Sequence, residues 1–127
     1  MQAPDGRPAR WAALALTALV LAAPAAAQDR GPDARQALVD LAYVLGQSQA
    51  LRQGCNGEND IYWRRRMEKL MDVEAPEQAL KIRLVHAFNT GFNTAQASFP
   101  KCGAGSRAEA GRVARRGRDL AARLAAP

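Results

Sequence analysis

The side chains best suited to chemistry in this sequence are two cysteines, Cys55 and Cys102, and the single histidine, His86. The cysteines lie far apart in the chain and lack the C-x-x-C spacing of thioredoxin-like motifs and of haem attachment. A zinc site needs four ligands, which two thiols and one histidine cannot supply without carboxylates. A structural disulfide is therefore the favoured interpretation, with a redox-active pair or a metal site as the alternatives. We expect no cofactor and no bound metal.

Catalytic signatures are also missing from the sequence. At helical spacing His86 falls on a polar flank with Asn89 and Asn93, so we expect it to be exposed rather than a general base. The patterns G-x-S-x-G and H-E-x-x-H and phosphate-binding glycine loops do not occur. The acidic stretch after Cys55 lacks the spacing and the last glutamate of a calcium loop. The sequence therefore predicts no catalytic residue and favours a protein that is not an enzyme.

Arginines supply the remaining candidate binding groups. Arg64, Arg65 and Arg66 are consecutive, so on a helix they point in three directions and cannot all bind one ligand. Of these, we expect Arg64 to pair with Asp60, four residues earlier. A stripe along one side of the last predicted helix forms a candidate basic patch: Arg112, Arg115, Arg116 and Arg123. A solvated face is the simpler interpretation of this stripe, and a binding site is the alternative.

Helical periodicity predicts the elements that position these side chains. No stretch alternates convincingly with the period of two expected of a strand. Proline, glycine and capping residues divide the chain into four helices. The first is expected from Pro32 to Gly54, and the second from Asn59 or Asp60 to the segment VEAP. The third is expected from Pro76 to the segment SFP, and the fourth begins with a capping box of Ser106 and Glu109. Because the connections are short, we expect an all-α fold, an up-down four-helix bundle.

The first and third connections of such a bundle lie at the same end. Cys55 is expected in the first connection and Cys102 in the third, so the topology brings the two thiols together. A disulfide between them would stabilise the domain by about 4 kcal/mol on the chain-entropy model. We expect Trp63 to lie just beneath this disulfide and to close that end of the core.

Three glycines fall at a similar depth in the predicted helices. At 1.5 Å per residue, Gly46, Gly91 and Gly117 lie about 13 to 16 Å from the cysteine end. A glycine inside a helix costs about 1 kcal/mol relative to alanine, so three at one level suggest a structural purpose. We expect helix backbones to approach closely there, beside Phe88 and Phe92. The alternative is that one or more of these glycines lie on the surface.

The first 27 residues have the features of a secretory signal peptide. Arg7 and Arg10 precede an uncharged apolar run from Trp11 to Ala23, and three alanines precede Gln28. The run is shorter than the roughly 20 residues of a transmembrane helix, although a retained membrane anchor is the alternative. We therefore expect export to the periplasm, no stable membrane span after cleavage, and one helical domain over residues 28–127. In the uncleaved chain the apolar segment should project from the body.

The chain is basic, with a formal net charge of +6. Without Asp5, Arg7 and Arg10 of the signal segment, 16 basic and 11 acidic residues remain, a net charge of +5. A basic surface suits an anionic envelope component such as lipid head groups or an acidic polymer, as well as an unidentified protein partner. Nucleic acid is not expected, because the sequence contains no recognition motif and the protein is predicted to be exported.

Several motifs of the chain resemble a family of small exported proteins of alpha-class proteobacteria, a domain of unknown function with two well-separated cysteines. The motifs are DLAYVLGQSQALRQGCNG, YWRRRM and AFNTGFNTAQASFPKC, followed by a basic, alanine-rich tail. The matching positions are Tyr43, Gly46, Cys55, Trp63, Arg64, Met67, Phe88, Asn89, Gly91 and Cys102. The resemblance covers nearly all of residues 28–127. It implies a disulfide and export, but it implies no activity.

Taken together, the sequence predicts a periplasmic, disulfide-linked four-helix domain that acts as a non-catalytic interaction or envelope-support module. The first alternative is a small-ligand binding protein with a pocket near Trp63, Phe88, Asn89 and Phe92. Together with Arg64, these four residues form a candidate binding or structural motif. Such a site would show an apolar concavity with convergent polar groups. An enzyme is the second alternative.

Overall fold

The computed structural model describes residues 29–126, together with Gln2 and Gly6. Within them the chain forms four helices and no strand: α1 (Pro32–Asn56), α2 (Tyr62–Glu74), α3 (Gln78–Ser98) and α4 (Ala104–Ala125). The predicted all-α class is therefore confirmed. The predicted signal peptide and its projection from the body lie outside the described residues, apart from the two isolated positions. None of the described helices is long and apolar enough to cross a membrane.

Contacts at the helix ends establish the up-down order. An ion pair between Arg35 and Glu77 joins the beginnings of α1 and α3, and the disulfide joins their ends, so these two helices are parallel. Arg30, just before α1, donates a 3.1 Å hydrogen bond to the carbonyl oxygen of Leu124 at the end of α4. Helix α4 is therefore antiparallel to α1. The predicted up-down topology places the first and third connections at one end, as expected.

Helix α1 is the centre of the bundle, because it contacts each of the other three helices. Its most extensive contact is with α3. Leu38, Ala42 and Leu45 of α1 belong to one apolar cluster with residues of α2 and α3. Val44 and Leu51 belong to a second cluster that reaches α4. This two-sided burial explains why α1 shows a broad apolar surface in the sequence rather than a single stripe.

Two glycines allow α1 and α3 to pack backbone against backbone. A Cβ atom added to Gly46 would overlap the carbonyl oxygen of Phe88, and one added to Gly91 would overlap that of Tyr43. The close approach expected beside Phe88 is therefore present at these two positions. Gly117 differs, since an added Cβ would lie 3.1 Å from a side-chain methyl of Val44 rather than against backbone. Gly117 thus packs against a side chain. The expected close approach of helix backbones therefore holds at Gly46 and Gly91 but not at Gly117.

Four helix boundaries differ from the predicted ones, one in each helix. Gly54 does not end α1, which continues to Asn56 and ends before Gly57, whose φ of 95° only glycine adopts readily. Cys55 is therefore in the last helical turn rather than in the connection. Helix α2 begins at Tyr62, and α3 begins after Glu77 rather than at Pro76.

The predicted capping box of Ser106 and Glu109 is wrong. Helix α4 begins one turn earlier, so Ser106 occupies the third helical position and Gly103 is the N-cap. The Ser106 hydroxyl accepts a 2.9 Å hydrogen bond from the Gly103 amide and donates one of 3.0 Å to the Gly103 carbonyl. Glu109 instead forms an ion pair with Arg112. The serine at the third helical position thus accepts the hydrogen bond from the N-cap amide. In an ordinary capping box a glutamate at the third position accepts this hydrogen bond.

A glutamine of α1 caps the beginning of α2. The Oε1 atom of Gln49 accepts 2.9 Å hydrogen bonds from the amides of Trp63 and Arg64, and its Nε2 donates to the carbonyl of Asp60. Gln49 is 0% exposed. The first amides of a helix have no partner within it, so a side chain from another element can replace a local cap. The single buried amide therefore fixes α2 to α1.

We expect Gln49→Met to destabilise the fold by about 2 kcal/mol, because the amides of Trp63 and Arg64 would lose their partner. The Asp60 carbonyl would keep only the 3.3 Å hydrogen bond from Gln53. The methionine has a similar volume, so the change removes polar contacts with little change in packing. Gln47→Met on the same helix is the control and should change the free energy of unfolding little. Urea denaturation of the two variants measures the difference. Equal stabilities would show that the cap contributes nothing net.

Candidate functional site

The disulfide end of the bundle was the first candidate site. Cys55 and Cys102 are bonded, with a Cα–Cα separation of 4.8 Å, so the predicted disulfide is confirmed. Both cysteine residues are exposed at the surface. Trp63 is half-buried and lines a cavity together with Cys55, as expected of a side chain that closes this end.

Asp60 is the centre of a polar cluster beside the disulfide, but its partner is not Arg64. Its carboxylate pairs with Arg52 of α1 at 2.8 Å and accepts hydrogen bonds from Asn56 and from the amide of Tyr62. The predicted pair fails because the carboxylate caps the start of α2 and faces α1. The Asn56 hydrogen bond, followed by that of Arg52, holds the pKa of Asp60 below its ordinary value.

This lowered pKa predicts a dependence of stability on pH. A carboxyl group with a depressed folded-state pKa stabilises the fold above its unfolded-state pKa, and the contribution is lost as the pH falls through the folded-state pKa. Asp60→Asn should therefore be less stable than the wild type at pH 7, and the gap should close as the pH falls below about 4. Asp72→Asn, which removes an exposed carboxylate, is the control. A gap that stays constant down to pH 2 would contradict the assignment.

The five residues of the predicted binding motif lie in three places. Arg64 lies with its guanidinium 5.8 Å from the ring centroid of Phe88, and both line a small cavity with Asn89. Phe92 packs against the second apolar cluster. Trp63 faces a different cavity, which neither Phe88 nor Asn89 lines. The structure therefore brings three of the five together and separates the other two.

The remaining predicted residues lie on the surface. Arg112, Arg115, Arg116 and Arg123 are all exposed, and Arg112 is paired with Glu109. His86 is exposed, as expected, and lines a shallow concavity on α3 with Asn89. No cluster of three or more potential metal ligands occurs among the described histidine, cysteine and acidic residues.

An apolar groove runs between α2 and α4, with α1 as its floor. Its first segment encloses about 360 Å³. The lining residues are Leu41, Val44, Leu45, Ser48, Trp63, Arg66, Leu70, Val113, Ala114, Gly117, Arg118 and Ala121. None of them is acidic. We call this feature the α2–α4 groove.

A second segment of about 240 Å³ extends the α2–α4 groove to the disulfide. It shares Ser48, Trp63 and Ala114 with the first segment, and it adds Cys55 and Arg107 among others. Fourteen residues of α1 separate Leu41 from Cys55, which corresponds to a length of about 20 Å. The two volumes, spread over this length, make the groove long and narrow.

Small residues on α4 leave this space open. Ala114, Gly117 and Ala121 recur at intervals of three and four, so they share one face of the helix. Their side chains are too short to reach α2 across the floor. Gly117 lies against Val44, which holds α4 close to α1 without filling the groove.

Arginines line the groove on both sides. Arg66 projects from α2 and Arg118 from α4, and both line the first segment, while Arg107 lines the second. Within residues 29–126 none of the three forms an ion pair, although Arg66 donates a hydrogen bond to the Tyr62 hydroxyl. Arg52, in contrast, is occupied by Asp60. The groove thus combines an apolar floor with positive charge that no carboxylate neutralises.

Comparison with known families gives one match. The model of a family described as a protein of unknown function, DUF2385, matches residues 34–127. The chain belongs to this family. The DUF2385 region contains both cysteines, all four helices apart from the first two residues of α1, and the whole α2–α4 groove. Neither a curated protein nor a solved structure matches the chain.

Sequence reasoning missed the groove of this DUF2385 domain. Trp63 was a candidate, but Arg66, Arg107 and Arg118 were not among the predicted binding residues. One signal was available, because Ala114, Gly117 and Ala121 lie on the predicted inner face of the fourth helix. A face of such small residues packs less fully than one of leucines, and this could have suggested an open space.

Proposed function

We propose that the protein is an exported, non-catalytic binding module of the cell envelope, and that its binding surface is the α2–α4 groove. The groove itself is the observation that supports this proposal. It combines an apolar floor with a few polar groups at its margins, the usual composition of a ligand site. Arg66, Arg107 and Arg118 favour an anionic partner.

Export is supported by the disulfide and by the N-terminal sequence. Disulfides persist in oxidising compartments and are rare in the cytosol. Cys55 and Cys102 are exposed, so a reducing cytosol would have access to their bond. The signal-like composition of residues 1–27 agrees with this location. An origin in alpha-class proteobacteria, implied by the family resemblance, belongs to the same proposal.

The groove is a better binding surface than the cavity at the predicted motif. The cavity beside Arg64, Phe88 and Asn89 encloses about 180 Å³. Small-molecule sites usually enclose about 300 to 1,000 Å³. The first segment of the groove, at about 360 Å³, falls within this range even without the second segment. The alternative of a small-ligand binding protein therefore remains, but with its site at the groove.

Site-specific crosslinking in intact cells tests the binding surface. A photo-crosslinking amino acid at Ala121, which lines the first segment, should capture a specific ligand or protein. The control is the neighbouring Ala122, which is also exposed but does not line the groove. Capture at both positions alike, or at neither, would contradict the proposed surface.

The redox state of the cysteines in the same cells tests export. Cells are treated with a thiol-alkylating reagent before lysis, and the protein is then examined for label at Cys55 and Cys102. We expect no label in the wild type, and label at Cys102 in Cys55→Ser. Label on both cysteines of the wild type would place the protein in a reducing compartment.

A further inference from the structure

The shape of the α2–α4 groove restricts what can occupy it. The groove is about 20 Å long, and volumes of only about 360 Å³ and 240 Å³ for its two segments make it a narrow channel over that length. Folded partners usually cover about 800 Å² of each surface, much of it flat. An extended aliphatic chain matches a long, narrow apolar channel better than a globular surface does.

Charge restricts the occupant further. Arg66 and Arg118 enter the first segment from opposite sides, and none of the residues lining it is acidic. A guanidinium group binds a carboxylate through two parallel N–H donors, and neither arginine forms an ion pair with another described residue. A cationic or neutral head group would give neither guanidinium a counter-ion, although Arg66 keeps its hydrogen bond to the Tyr62 hydroxyl. The complementary occupant is therefore an apolar chain that ends in an anion.

We propose that the α2–α4 groove binds a single long-chain fatty acid, with the chain along α1 and the carboxylate between Arg66 and Arg118. The inference rests on the proposed function, because it names the occupant of the same groove. Trp63 would contact the aliphatic chain where the two segments meet. The site is distinct from a membrane-surface patch, because it binds one fatty acid molecule rather than contacting many lipid head groups.

Tryptophan fluorescence provides the test. The variant Trp11→Phe leaves Trp63 as the sole tryptophan of the chain and serves as the reference protein. Tetradecanoate is titrated below its micelle concentration, in parallel with the neutral tetradecanol and the cationic tetradecyltrimethylammonium. We expect saturable one-to-one binding of the carboxylate and an affinity for the other two probes that is about tenfold lower or weaker still.

Matched arginine variants locate the head group. Arg66→Gln with Arg118→Gln should weaken tetradecanoate binding about tenfold. Arg65→Gln with Arg116→Gln removes the same charge from exposed positions outside the groove and should leave the affinity unchanged. If both pairs weaken binding equally, only the net charge matters and the proposed head-group position is wrong.

Bulky substitutions locate the chain. Ala114→Phe should block the point where the two segments join. Ala121→Phe changes an exposed residue of the first segment, so it can be tested even if the Ala114→Phe protein does not fold. Loss of binding in the variants that retain the wild-type helical spectrum supports the site. Unchanged binding in both would overturn it.

The outcomes separate this inference from the proposed function. Equal affinity for tetradecanol and tetradecanoate would overturn the anionic occupant but leave the groove as a binding surface. If none of the three probes binds but Ala121 crosslinks specifically to a protein, the fatty acid is also wrong as the occupant, while the groove remains a binding surface. Co-sedimentation with anionic phospholipid vesicles that is unaffected by Ala114→Phe, without uptake of the monomer, would identify a membrane surface instead and overturn the inference.

Discussion

Replacement of Gly46 by alanine is expected to destabilise the fold by about 3 kcal/mol, a large effect for the addition of one methyl group. The added carbon would overlap the carbonyl oxygen of Phe88 and lie 2.9 Å from the amide nitrogen of Phe92. Both atoms belong to the backbone of α3, so no side-chain rotation can relieve the overlap. The two helices must move apart, and the apolar clusters on either side of their crossing must repack.

Gly91→Ala should have an effect of the same size, because its methyl group would overlap the carbonyl oxygen of Tyr43. The two substitutions act at one crossing, so their effects should not add. Once the first methyl has separated the helices, the second meets less resistance. We expect the double variant to lose clearly less than the sum of the two single losses.

Gly54→Ala is the matched control for both. Gly54 lies on the same helix as Gly46, and no atom of another element lies within 4 Å of an added Cβ. Alanine has the higher helix propensity, so this variant should be stabilised by up to about 1 kcal/mol. Urea denaturation of the four variants measures all of these differences. A Gly46→Ala protein as stable as Gly54→Ala would show that the backbones are not in contact.

The fold was predictable because its main signals are local. Pro32, Pro76 and the glycines mark helix ends to within a few residues, and four helices with short connections leave few topologies. From that topology the pairing of Cys55 with Cys102 followed directly. The errors at the starts of α2 and α4 have one physical origin: the caps are supplied by residues outside the expected pattern. Gln49 caps α2 from another helix, and Ser106 caps α4 from its third position.

The candidate site was less predictable, because it depends on how far the helices stand apart. Trp63 and Phe88 were predicted to line one pocket, yet Trp63 lines the groove on one side of α2 and Phe88 lines a cavity on another side. The sequence defines the face of each helix but not the gap between α2 and α4. Helices α2 and α4 each pack against α1 but make little contact with each other.

Removal of the disulfide by Cys55→Ser with Cys102→Ser should lower the free energy of unfolding by about 4 kcal/mol. The bond closes a loop over a sequence separation of 47, and its loss restores conformational freedom to the unfolded chain. Domains of this size are typically stable by about 5 to 15 kcal/mol, so the loss is a large share of the total. The melting temperature should fall by about 20 °C.

The single variant Cys55→Ser should be as unstable as the double variant, since either change opens the loop. A reducing agent should destabilise the wild type to the same level and leave the serine variants unaffected. The loss should also be uneven in space, because Cys102 connects the end of α1 to the segment that precedes α4. Hydrogen exchange should therefore increase more at the amides of Arg107 and Ala110 than at that of Leu120, and the second segment of the groove should loosen before the first. A reduced wild type as stable as the oxidised protein would contradict the structural role of the bond, and it would favour the redox-active alternative that the sequence left open.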